Sequence, residues 1–286
     1  MVKFSKKIHN KMDLIKIFLG FIEYNLFGSH YNKDSLIVLN YHGVPSKFLN
    51  NFEFQINYLK REFFVINPND LNRFFDTDWK TKKPKLLITF DDCTKNILNA
   101  ISILEKNEIK ALLFVIPNYI NSSDNKIYYT KHIRPIINDE IESKREDFDA
   151  LNWIDLKTLV DKKNAVGSHT LSHRMDKNNV NLDNHKEIID SKKIIEEQLS
   201  VEVNSFCSIN NSLKSLNKDA ARKIKKIYDF HFTTISGYNL NKNKLSINRI
   251  NVEAHWTKYQ FLFALGKIDN LRWKRKRKQV DFLMTS

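Results

Sequence analysis

The sequence predicts an α/β protein built on a mainly parallel sheet or barrel. Three observations lead there. Short apolar, β-compatible runs alternate with helix-like segments along most of the 286 residues. One such run, Leu86-Leu87-Ile88-Thr89-Phe90, ends at the acidic pair Asp91-Asp92. Another, Ala165-Val166-Gly167-Ser168, leaves through a glycine and delivers His169. Chemistry-bearing side chains at the C-terminal ends of parallel strands are what an α/β barrel supplies.

Taken in order, Ser35 to Tyr41 is the first expected strand, ending in Tyr41-His42-Gly43. Phe52 to Glu62 has Phe52, Ile56 and Leu59 on one helical face, and Phe63 to Ile66 is a strand. Asn67 to Phe75 is a helix introduced by proline. Lys85 to Phe90 carries the acid pair, a helix follows from about Lys95 to Asn107, and Ala111 to Ile116 is the next strand. Residues 118–150 are polar and irregular, a long excursion suited to forming part of a substrate groove. Asp155 to Asp161 is a helix, Ala165 to Ser168 a strand, and Leu182 to Leu199 helical. Val203 to Ser208, Asp229 to Ile235 and Lys244 to Arg249 are the later strands. No repeat or low-complexity linker interrupts the pattern.

A hydrophobic content of 42% suffices for a sizeable core. Two cysteines, Cys93 and Cys207, exclude a disulfide scaffold and fit a reducing compartment. The net charge of +14 directs attention to anionic partners. Arg272 to Lys278 places six cations in seven residues, and Lys3, Lys6, Lys7, Lys11 and Lys16 flank an apolar stripe of Phe4, Ile8, Met12, Ile15, Leu19 and Ile22. A basic amphipathic helix of this kind suits an anionic membrane surface, or else packs on the domain as an ordinary solvated helix. The apolar run Leu14 to Ile22 is interrupted by Lys16 and is followed by no small-x-small cleavage site; it is also too short to span a bilayer. The expectation is a cytoplasmic protein, with peripheral contact to the inner membrane face through the basic termini as an open alternative. Charge alone does not make a nucleic-acid partner, and no nucleic-acid motif accompanies it. The expected organisation is a basic amphipathic segment over 1–34, a catalytic unit over 35–265 and a basic tail over 266–286.

Thr89-Phe90-Asp91-Asp92 and His169-Thr170-Leu171-Ser172-His173 together bring two carboxylates and two imidazoles. That is the inventory of a three-ligand divalent-metal site with one carboxylate left over as a base, and hence of metal-assisted hydrolysis. If His169 to His173 makes one helical turn, the two imidazoles share a face and can chelate one ion.

On these residues the chain resembles the polysaccharide deacetylase family, the NodB-homology group of carbohydrate esterases. Thr89-Phe90-Asp91-Asp92 is similar to the family's first motif and Ser168-His169-Thr170-Leu171-Ser172-His173 to its second. Leu39-Asn40-Tyr41-His42-Gly43-Val44 resembles the opening strand of many members, and the likeness runs over about residues 35–250. The resemblance implies a distorted, incomplete (β/α) barrel and removal of N-acetyl groups from a glycan. It implies that Asp92, His169 and His173 hold the metal, with zinc the default, that Asp91 is the general base, and that Arg249 orients it. The pattern departs from the family at three places. Cys93 stands where the first motif usually has glycine; the third motif reads Phe206-Cys207-Ser208-Ile209-Asn210-Asn211; and the late Leu-x-x-His motif that supplies a general acid in many members has no counterpart. His42, at a strand end, is the assigned acid, with His231 and His255 as alternatives. A catalytically weakened glycan-binding protein on the same fold is the alternative function.

Overall fold

The computed structural model describes residues 11–27, 31–134, 145–175, 178, 184–210, 212–240 and 242–285. Among the described residues eight strands form one sheet: β1 (Leu36–Tyr41), β2 (Phe64–Val65), β3 (Lys85–Phe90), β4 (Ala111–Val115), β5 (Ala165–Ser168), β6 (Ser205–Cys207), β7 (Phe230–Phe232) and β8 (Ile250–Asn251). The order is β7-β6-β5-β4-β3-β1-β8, with β2 pairing on β3, and every ladder is parallel. β1, β3 and β4 are buried at every position, which explains why they read as unbroken apolar runs rather than alternating ones. The sheet curls into an open half-barrel. The segment between β7 and β8 reaches both of its margins, through Ile247 beside Phe232 and Asn239 beside Leu36.

Alternate residues of each strand face two separate apolar clusters, as the twofold period of a strand requires. Ile37, Leu39, Leu86 and Ile88 pack outward with Phe52, Ile56, Ile97 and Leu104. Leu36, Val38, Leu87, Leu112, Phe114 and Phe232 fill the interior. The helices that supply the outer layer and the barrel rim are α1 (Lys11–Phe27), α2 (Leu49–Glu62), α3 (Leu71–Asp76), α4 (Ile97–Lys106), α5 (Pro117–Ile120), α6 (Asn125–Tyr128), α7 (Trp153–Asp161), α8 (Ser191–Leu199), α9 (Ser212–Ser215), α10 (Lys218–Ile227), α11 (Lys258–Ala264), α12 (Lys267–Arg272) and α13 (Lys274–Thr285). α4 buries Ile97, Ala100, Ile101 and Leu104, one stripe at helical spacing. α7 starts two residues earlier than the periodicity suggests, because Asn152 and Asp155 form a reciprocal capping box.

Four expectations need correction. The excursion over 118–150 is not wholly irregular: α5, α6 and two further short turns surround a buried cluster of Ile116, Tyr119, Tyr129, Phe148 and Ala150, while 135–144 lie outside the described residues. The last strand is displaced from Lys244–Arg249 to Ile250–Asn251, where Leu39 and Asn40 offer the free edge of β1. His169 to His173 is not a helical turn, for reasons given below. The basic tail expected over 266–286 is helical and packed through Thr285; Val280 and Met284, one helical turn apart, are buried where α13 packs on α9 and α10. At the other end, α1 lies on α11, and residues 1–10 fall outside the described set.

Candidate metal centre and active-site cleft

β3 carries Asp91 and Asp92 to the C-terminal rim, and the chain turns there by an uncommon route: Asp92 and Cys93 both adopt left-handed backbone, at φ 62° and 60°. This is why glycine suits the position of Cys93; a side chain there costs on the order of 1 kcal/mol. The turn is held by Cys93 N–H donating to the Asp91 carbonyl (2.6 Å) and Leu151 N–H donating to the Cys93 carbonyl (2.9 Å). Behind it, Gly43 approaches Asn96 so closely that a Cβ would lie 2.5 Å from Asn96 Oδ1, so the rim admits no larger residue at 43 without rearrangement.

The histidine loop leaves β5 as a pinned bend rather than a helix. Thr170 and His173 take left-handed φ values of 71° and 59°. His173 N–H donates to Thr170 Oγ1 (2.8 Å), Leu171 N–H to the Glu187 carbonyl (3.1 Å), and Ser172 N–H to Glu187 Oε2 (2.9 Å). A helical turn here would set His173 N–H on the His169 carbonyl; Thr170 Oγ1 takes that donor instead, while Glu187 pins the Leu171 and Ser172 N–H groups. The two imidazoles still converge, with ring centroids 5.2 Å apart.

Both rings are fixed by carbonyl oxygens. His169 Nδ1 donates to the Cys207 carbonyl (3.2 Å) and His173 Nδ1 to the His132 carbonyl (3.0 Å). A carbonyl only accepts, so each Nδ1 carries the proton and each Nε2 presents its lone pair to the cleft. The two Nε2 atoms lie 3.6 and 3.8 Å from Asp92 Oδ1. That oxygen is buried and has no hydrogen-bond partner among the described residues, a costly state for a carboxylate unless a cation completes it. The donor atoms of Asp92, His169 and His173 all lie within 4.8 Å of one another. Two neutral nitrogens and one uncompensated carboxylate oxygen suit a divalent ion that keeps an open position.

Asp91 is differently supplied. Arg249 Nη1 donates to its Oδ1 at 2.6 Å and Nη2 to its Oδ2 at 2.8 Å, with both side chains almost wholly buried. Burial alone would raise the carboxyl pKa; the Arg249 guanidinium, helped by His169, instead holds it well below the usual carboxylate range. Arg249 is in turn aimed by its Nε donating to the Thr233 carbonyl (3.0 Å) and stacks over Phe114. Burial lowers the His169 pKa to about 4 against the pull of Asp91 and Asp92, which keeps the ring neutral.

Asp91, His169 and Cys207 form a second set of donor atoms close enough to share an ion. It is the poorer site. Arg249 already engages both Asp91 oxygens, and its Nη2 also donates to Cys207 Sγ at 2.8 Å. Burial pushes the Cys207 thiol pKa up despite Arg249, so the sulfur stays protonated. Cys93 and Cys207 are free, buried thiols; Cys93 Sγ faces the Phe90 and Phe114 carbonyls instead of the donor cluster.

These groups open onto a cleft of about 580 Å³. His42 lines it beside Asp91 and Asp92, with Nδ1 buried and 4.0 Å from Glu253 Oε1. His231 does not reach it: Ser208 Oγ lies 2.6 Å from Nε2, the Leu245 carbonyl lies 2.9 Å from Nδ1, and burial lowers its pKa to about 4. His255 packs against Phe48 and borders a smaller depression shared with His42 and Glu253. The excursion supplies Ile133 and Arg134 to the cleft wall. Sequence reasoning missed the cleft's far end, where Lys16, Trp256, Arg272 and Trp273 arrive from both termini. It also missed the contact of Cys207 with Arg249, for which only the altered third motif gave a signal. A depression of about 650 Å³ at the opposite end of the strands, between Phe64, Lys83 and Lys110, contains no acid–histidine group.

A three-donor pocket at the strand tips of a curled parallel sheet defines a barrel protein equipped for a metal ion. The family model described as polysaccharide deacetylase matches residues 78–226, both motifs included, and the chain belongs to that family. No curated protein matches it. Among solved structures it is similar to a polysaccharide deacetylase from Bacillus cereus, at 20% identity and TM-score 0.59 over 81% of this chain and 69% of that one. It is also similar to the Streptococcus pyogenes deacetylase PplD in complex with acetate (19%, TM-score 0.59, 76% and 92% covered) and to IcaB from Ammonifex degensii (18%, TM-score 0.59, 81% and 96%). At these identities the likeness establishes the fold, the half-barrel of polysaccharide deacetylases.

Proposed function

We propose that this protein is a metal-dependent hydrolase that removes N-acetyl groups from sugars of a polysaccharide, an oligosaccharide or a lipid-linked glycan precursor. The observation that carries the reading is the division of labour between two adjacent carboxylates. Asp91 has both oxygens held by Arg249, whereas Asp92 presents a buried oxygen without a hydrogen-bond partner to two histidine Nε2 atoms. Family membership supports it, and one structural neighbour is a deacetylase in complex with acetate, the product expected here.

In this reading Asp92, His169 and His173 hold the ion, most naturally zinc for a His/His/Asp donor set. A bound divalent ion polarises the acetamide carbonyl and makes water more acidic. Asp91, kept ionised by Arg249, accepts the proton of the attacking water at a carboxylate oxygen. The water oxygen joins the acetyl carbon, the carbon–nitrogen bond breaks, and the leaving nitrogen takes a proton to give acetate and a free amine. His42 is the assigned donor of that proton; return of the proton from Asp91 is the other route. Trp256 and Trp273 line the cleft and add apolar surface suited to contact with sugar rings.

The test is acetate release from N-acetylated oligosaccharides by zinc-loaded protein, alongside glycan binding. Acetate release that chelation abolishes and zinc restores supports the assignment. Glycan binding with intact metal but no acetate release across a broad panel favours the weakened, binding-only reading that the altered third motif and missing late histidine motivate.

A further inference from the structure

α1 carries an apolar face that the described fold leaves uncovered. At about 100° per residue, Leu14, Ile15, Phe18, Phe21 and Leu26 fall within an arc of roughly 140°. All five are exposed, from 45% at Ile15 to 72% at Leu26, and no acidic residue falls on that arc. The opposite side does most of the packing: Gly20 meets the Tyr259 carbonyl and Phe263, and buried Glu23 accepts hydrogen bonds from the backbone N–H groups of Lys267 and Ile268, while Phe21 at the arc's edge touches the Tyr259 ring. Singly exposed leucines are ordinary, but five apolar residues on one arc make a patch, and a helix apolar on both faces is suited to burial on both.

The neighbourhood of the patch is cationic. Glu23 ties the start of α12 to the C-terminal half of α1, and Arg272 and Trp273 at its other end line the same cleft as Lys16 of α1. α12 adds exposed Leu271, and the continuing chain exposes Lys274, Arg275, Lys276 and Lys278. An apolar arc beside a cluster of cations matches an anionic lipid leaflet on both counts. A second copy of this chain matches less well, because a twofold contact through this face would bring the same cations together.

We propose that α1, α12 and the start of α13 form a docking face for an anionic bilayer, with the α1 arc entering the headgroup region and the 272–278 cations on the lipid phosphates. Docking requires no catalysis. Its consequence for the substrate rests on the deacetylase reading: Arg272 and Trp273, where the cationic stretch begins, also line the cleft, so docking brings the cleft's far end toward the bilayer surface, where a lipid-linked glycan would lie.

Co-sedimentation of the full chain with vesicles tests this without an activity readout. The wild type is expected to pellet with mixed phosphatidylglycerol–phosphatidylcholine vesicles, to stay in solution with phosphatidylcholine alone, and to be released by salt. Neutralising Lys274, Arg275 and Lys276 to Gln should lower partitioning by about fivefold per charge. Leu14→Ser/Phe18→Ser should lower it at least tenfold with unchanged thermal unfolding, since both side chains are exposed. Failure of the wild type to pellet with anionic vesicles overturns the proposal, as does equal partitioning of wild type and both variants. A concentration-dependent dimer in light scattering that Leu14→Ser/Phe18→Ser converts to monomer also overturns it, by assigning the face to self-association.

Discussion

Arg249 grips Asp91 through two parallel hydrogen bonds of 2.6 and 2.8 Å across 158 positions of sequence, and both side chains are buried. The pairing gives Asp91 a permanent counter-charge and leaves the neighbouring Asp92 for the histidines. Removing one partner of such a pair leaves an uncompensated buried charge, at a cost of about 3–5 kcal/mol. Arg249→Met should therefore unfold at markedly lower urea, and Asp91→Asn/Arg249→Met should recover part of the loss. Additive effects in that double-mutant cycle would show that the pair is not coupled.

The same relationship predicts a pH effect on rate. With Arg249 in place Asp91 stays ionised far below neutrality, so the acid limb of kcat/KM should not report Asp91. In Arg249→Lys, where bidentate contact is lost, the Asp91 pKa rises and an acid limb should move upward. An unchanged profile in a folded Arg249→Lys variant would separate Arg249 from the base.

Glu187 holds the histidine loop through Ser172 and does not belong to the donor cluster. Loss of a group that positions ligands typically costs about 10–100-fold in metal affinity. Glu187→Gln should show that loss by competition with a chelator, with little change in thermal unfolding. Unaltered affinity would leave the loop positioned by Thr170 and the Leu171 backbone alone.

His231 contributes to acid sensitivity from outside the site. Burial, the larger cause, and Arg249 lower its folded pKa to about 4, although its contact with the Leu245 carbonyl opposes them. The unfolded chain binds this proton near pH 6.5 and the folded chain does not, so stability falls as pH drops from about 6.5 toward 4, by roughly 3 kcal/mol for this group at the limit. Urea midpoints between neutral and mildly acid pH should fall less steeply in His231→Gln than in the wild type. Parallel slopes would rule out this contribution.

In the proposed reaction His42 donates the proton to the leaving nitrogen, so His42→Gln should lower kcat by about 10²–10⁴-fold with KM little changed. A rate close to wild type would pass the role to Asp91.

Much of this site could be read from the chain because its parts are local. An apolar strand ending in Asp91-Asp92 and a glycine-bearing strand ending in His169 announce themselves within a few residues, and parallel pairing brings their tips together. Arg249 was legible as a residue next to a strand, although it precedes the observed strand at Ile250–Asn251 instead of ending one. What escaped depends on contacts between distant segments. The helical turn expected over His169 to His173 gives way because Thr170 Oγ1 takes the His173 N–H and the backbone is left-handed at Thr170 and His173, with Glu187 from a distant segment pinning the loop. The far wall of the cleft joins Lys16 to Trp256 and Trp273, which no local pattern connects. The C-terminal helix shows in the sequence only as the pair Val280 and Met284, two apolar residues in a stretch that is otherwise mostly charged.

The most direct test measures bound metal and acetate release on the same preparations of wild type, Asp91→Asn and Asp92→Asn. The account predicts that Asp91→Asn keeps its ion while acetate release falls about 10²–10⁴-fold, and that Asp92→Asn loses the ion. Wild-type acetate release by Asp91→Asn, or wild-type metal affinity in Asp92→Asn, would contradict it.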